Sequence, residues 1–147
     1  WQPNSGQALS LVPGSSRIYS SANEPGLIYD VLAVSPSSLS AHKAEWTKVL
    51  KAWYMAVDYL NDPATHEDAI AIMAARVGLK ADEYKGFIKS TKILTLKETL
   101  PFLEPADGFK SLYGSTEIAD DFNVANDVYP EKQPVGSYID TSLMKSL

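Results

Sequence analysis

Residues 27–34 read LIYDVLAV, a near-continuous apolar run interrupted only by Asp30. The length and β-branched content of this octet favour a buried strand. An ionised Asp inside such a run is costly to bury unless it is paired or hydrogen-bonded. A lone strand cannot form a sheet, because its backbone N–H and C=O groups need partners. The chain offers few of them. Residues 17–20 (RIYS) are one short extended candidate, and residues 7–12 suit either a short helix or a short strand. Partners for the octet must therefore come from this early segment or from outside the 147 residues. The expected fold class is α/β, mostly helical after a short strand-containing N-terminal segment.

After Val34 the pattern turns helical. Residues 35–40 (SPSSLS) supply cap and turn residues. Trp46, Leu50, Trp53, Val57 and Leu60 then recur at helical spacing and predict an amphipathic helix of four or five turns. Asn61, Asp62 and Pro63 end it. Thr65 is placed to cap a second helix with the stripe Ile70, Met73, Ala74 and Val77, stopped by Gly78. Residues 82–89 predict a third helix that buries Tyr84, Phe87 and Ile88. Thr95 and Glu98 form a T-x-x-E capping box. Phe109, Leu112, Ile118, Ala119 and Phe122 suit one face of a longer helix over about residues 108–126. From Tyr129 onward an extended tail is expected, anchored by Tyr138 and Ile139.

Composition narrows the function classes. Apolar residues make up 45% of the chain and charged residues 21%, which is ordinary for a globular protein. The net charge of -5, with no basic run, argues against a nucleic-acid partner. The absence of cysteine excludes disulfides, cysteine-ligated zinc and a thiol nucleophile. No stretch approaches the roughly 20 apolar residues needed to span a bilayer. The chain opens at Trp1 without Met, a charged start or an apolar signal core, so it is expected to be part of a longer polypeptide.

The order of segments carries a resemblance. WQP stands at residues 1–3 and EPGLIYDVLAV at residues 24–34. A long Trp-bearing helix follows, then DPATHEDAIAIMAARVGLKADEYKGFI at residues 62–88 and IADDFNVANDVYPEK at residues 118–132. The series resembles the C-terminal half of the ABC-transporter substrate-binding proteins of the nitrate, taurine and sulfonate type, whose fold the fungal thiamine-pyrimidine synthases share. The resemblance implies a partial type II periplasmic-binding-protein fold. Residues 1–26 would be a remnant of the second lobe, residues 27–34 a hinge strand, and residues 35–147 the C-terminal helical part of the first lobe. It also implies a periplasmic or extracellular location, a small anionic or polar solute as ligand, and an ABC permease as partner. A half-receptor of this kind should expose apolar surface, so pairing with the missing N-terminal half or self-association is expected.

The same resemblance places Trp1, Gln2 and Pro3 at the cleft between the lobes, with the indole as an apolar wall and Gln2 as a hydrogen-bonding contact. Tyr29 and Asp30 lie in the hinge strand, where Asp30 would take a ligand donor or fix the hinge through hydrogen bonds. Ser20 and Ser21 end the preceding segment, where hydroxyls could meet an oxyanion. His42 and His66 lack metal spacing, and the Met and aromatic stripes fit a core, so neither a metal nor a cofactor is expected. The sequence carries no G-x-S-x-G, P-loop or Rossmann fingerprint. Solute capture without catalysis is thus the leading expectation. A pyrimidine-synthase-like enzyme and an assembly half-domain that binds no ligand are the alternatives.

Overall fold

Local stop and start signals set where the helices lie. The computed structural model describes residues 4–147, which form α1 (Asn4–Leu11), α2 (Pro36–Ala41), α3 (Lys43–Asn61), α4 (His66–Arg76), α5 (Ala81–Ile88), α6 (Leu96–Thr99) and α7 (Leu112–Ala125), joined by irregular segments and 3₁₀ turns. No strand or sheet is present among the described residues. The molecule is all-α, and the expectation of an α/β chain with a partial periplasmic-binding-protein fold is corrected.

The octet is where that expectation fails. Residues 27–34 are neither helix nor strand, so the hinge strand is absent. Ile28, Val31 and Leu32 are 56%, 64% and 57% exposed. Residues 17–20 are irregular too. With no second strand to complete a ladder, β propensity alone does not make one. Among the described residues, no backbone group of residues 28–34 hydrogen-bonds to the chain.

The chain divides into two compact units. One comprises residues 1–23 and 56–93, the other residues 24–55 and 94–147, and α3 runs from the second into the first. In the first unit α4 packs on α5. Leu60, Ala69 and the fully buried Ile70 form the core, and Met73, Ala81, Tyr84, Ile88 and Ile93 pack around it. Gly78 ends α4 as expected. It adopts φ +71°, its N–H donates to Ala75, and the N–H of Leu79 donates to Ala74 at 2.9 Å. This is a Schellman motif, in which a left-handed residue lets trailing N–H groups satisfy the last carbonyls. Thr65 does not cap α4 as anticipated. Its hydroxyl donates instead to the Tyr59 carbonyl at 2.6 Å, tying the loop back to the end of α3.

In the second unit Ser35 caps α2 by accepting from the Ser38 N–H, with Pro36 at the first helical position. The Trp46 indole N–H donates to Ser38 Oγ at 3.2 Å and joins α2 to α3. Thr95 and Glu98 form the expected capping box. The long last helix is shorter than expected. A 3₁₀ turn at Gly108–Lys110 precedes α7, which starts at the buried N-cap Ser111. The buried face of α7 is small and polar: Gly114, Ser115 and Asp120. Ile118 and Phe122, expected inward, are 41% and 65% exposed. The tail is held by Val135 and Leu143, both buried, while Tyr138 is exposed.

Candidate functional site

Of the candidate site residues, Trp1, Gln2 and Pro3 lie outside the described residues. Ser21 belongs to the first unit. It opens a 3₁₀ turn at Ser21–Asn23, is exposed, and follows Ser20, whose N–H donates to Asn23 Oδ1 at 2.9 Å. Tyr29 and Asp30 belong to the second unit.

Tyr29 is the fixed point of the octet. Its hydroxyl donates to the Phe109 carbonyl at 2.9 Å, and its ring meets Phe102 edge-on with centroids 5.9 Å apart. Partial burial raises its pKa, because the phenolate would lose hydration. Gly26 makes this seat possible. It adopts φ +91°, and a Cβ there would fall 1.9 Å from the Phe109 carbonyl oxygen. Residues 30–33, beyond Tyr29, are exposed. Asp30 is exposed and has no hydrogen bond or ion pair among the described residues, so no described residue uses it to fix the segment. A half-buried anchor thus presents an apolar stretch with free backbone donors and acceptors. Such a stretch can take part in edge-to-edge recognition.

The first unit holds a cavity of about 160 Å³ lined by Leu60, Asn61, His66, Ile88, Lys89, Thr91 and Ile93. His66 Nδ1 lies 2.7 Å from the Leu60 carbonyl oxygen. A carbonyl only accepts, so Nδ1 carries the proton and Nε2 keeps the lone pair in the neutral ring. The tie to Leu60 depends on the tight turn after α3, which residue spacing does not reveal. A larger groove of about 720 Å³ runs between Gly6, Gln7, Ser10 and Leu11 of α1 and Glu83, Gly86 and Phe87 of α5.

In the second unit Asp120, 4% exposed, accepts from the Tyr129 hydroxyl and from the Gln133 backbone N–H. Its neighbour Asp121 pairs with Lys132. The hydrogen bond to Asp120 raises the pKa of Tyr129, because the phenolate could not donate it. This cluster binds the tail to α7. A sequence pattern does not single it out, because Asp120 looks like any acid on a solvated helix face.

No group of three His, Cys, Asp or Glu among the described residues is arranged to hold a metal ion, and no described helix is long and apolar enough to cross a membrane. No family model, curated protein or solved structure matches the chain.

Proposed function

We propose that this chain is part of the solute-binding component of an ABC importer, serving a small anionic or polar solute such as a sulfonate, taurine, nitrate or a pyrimidine, and acting outside the cytoplasmic membrane beside a permease. The ordered series of segments from WQP to IADDFNVANDVYPEK supports this reading. The observation that carries it is the state of residues 28–34, a largely apolar segment held at Tyr29, exposed at Ile28 and over residues 30–33, and without backbone hydrogen bonds among the described residues. That is the condition expected of an element whose neighbours lie on another part of a larger assembly. Closure of such an assembly around a solute would be a hinge motion.

The same segment favours a second reading, an assembly half-domain that binds no solute itself. Gene deletion in the source organism separates the two. Loss of uptake of one labelled solute among taurine, alkanesulfonates, nitrate and pyrimidines is expected for an importer component. Unchanged uptake of all four refutes the importer role and leaves the assembly role.

A further inference from the structure

The cavity of the first unit stands apart from the octet, and what it can bind does not depend on the importer role. Its floor is apolar: Leu60 is buried, and Ile88 and Ile93 are half-buried. Its rim is polar, and that polarity is unspent within the chain. Among the described residues, the side chains of Asn61, Lys89 and Thr91 make no hydrogen bond or ion pair. His66 spends only Nδ1, which lies 2.7 Å from the Leu60 carbonyl oxygen, and keeps Nε2 as an acceptor in the neutral ring. No described carboxylate lines the cavity, although the chain carries 18 acidic residues. An apolar lining with a few polar groups turned to one space is the composition of a small-molecule site. We propose that this cavity binds a short-chain aliphatic hydroxycarboxylate.

Each part of that ligand answers one feature of the site. Lys89 brings a cation with three donors and no acceptor, which calls for an anion. It stands at the rim because α5 closes in tight turns: the Ser90 N–H and hydroxyl both donate to the Phe87 carbonyl, and the Thr91 N–H donates to Ile88 at 3.0 Å. Nε2 of the neutral His66 ring accepts and cannot donate, so a carboxylate there would set lone pair against lone pair, whereas a hydroxyl donates to it. An ammonium would donate too, but it would put a second cation into the space that Lys89 shares. Asn61 and Thr91 can each donate or accept and set no preference. The aliphatic tail covers Leu60, Ile88 and Ile93. The volume of about 160 Å³ is close to that of an apolar cavity that admits benzene, which limits the ligand to roughly six to eight non-hydrogen atoms.

Nuclear magnetic resonance titration of the isotope-labelled chain in weakly alkaline buffer tests this. 2-Hydroxybutyrate should bind saturably with a Kd on the order of millimolar, and the amide shifts should be confined to residues 60–66 and 88–93. Butyrate lacks the hydroxyl and should bind about fivefold more weakly. Two variants separate the roles. His66→Asn keeps an N–H for the Leu60 carbonyl and removes Nε2, so it should bind the two acids equally. Lys89 is exposed, so Lys89→Gln should leave the fold intact, weaken both acids about fivefold and preserve their ratio. No saturation by about 100 mM 2-hydroxybutyrate overturns the proposal. So do equal affinities of the unmodified chain for the two acids, a preference that survives His66→Asn, and shifts that centre outside the two named segments.

Discussion

At the scale of single residues, Asp120 bears the largest local consequence. It is nearly fully buried, and both of its carboxylate oxygens accept hydrogen bonds, Oδ1 from the Tyr129 hydroxyl and Oδ2 from the Gln133 N–H. Removing the carboxylate forfeits two hydrogen bonds to a charged acceptor, which costs about 1–3 kcal/mol. Asp120→Ala should therefore lower unfolding free energy by about that amount in urea titrations. Asp120→Asn keeps one acceptor oxygen and should cost less. The pH dependence has a defined sign. The folded pKa of Tyr129 lies above its ordinary value of 10.0, so the folded chain holds this proton more tightly than the unfolded chain. The stabilisation is complete below pH 10.0 and is lost as pH rises through the folded value. Tyr59 behaves alike, because its hydroxyl donates to Asp68 at 2.7 Å. The melting temperature should fall above pH 10, and Tyr129→Phe should lessen the fall. An unchanged alkaline profile in that variant would detach the effect from the Asp120 cluster.

At the scale of elements, helix ends were more legible than helix faces. Caps and stops are local chemistry, so Ser35, Gly78 and the box at Thr95 and Glu98 acted where the sequence placed them. Faces depend on what packs opposite. In α3 the inward side runs through Trp46, Leu50, Tyr54, Val57 and Leu60, and Trp53 is 55% exposed. Tyr54 takes the place expected of Trp53 because its hydroxyl reaches Thr99 and Met144. In α7 the buried side is set by close approach. A Cβ on Gly114 would lie 2.5 Å from the carbonyl oxygens of Ala106 and Gly108, so only glycine lets the chain pass there. The octet was misjudged for the converse reason, since strand formation requires a partner that periodicity cannot supply. Two substitutions test the role of the helix ends. Asp127, at φ 58°, closes α7 in the same Schellman geometry as Gly78, with the Val128 N–H donating to Asn123 at 2.9 Å. Asp127→Gly should stabilise the chain by up to about 1 kcal/mol, and Gly78→Ala should destabilise it by about 1–2 kcal/mol. Equal and negligible effects in thermal unfolding would show that neither helix end is strained by its left-handed residue.

At the scale of the whole molecule, stability should be uneven. Hydrogen exchange reports the free energy of opening at each amide, and amides with no partner exchange without any opening. In the first unit, α4 is packed around the fully buried Ile70, so its central amides should exchange slowest there. Ile28 and residues 30–33 are exposed and, like Val34, make no backbone bond among the described residues, and their amides should exchange at close to the rate of an unstructured peptide. Tyr29 belongs with them despite its anchored side chain, because the hydroxyl and not the amide makes its bond. Protection of the octet in dilute solution would show that it is already hydrogen-bonded within one chain. The free backbone on which the assembly reading depends would then not exist.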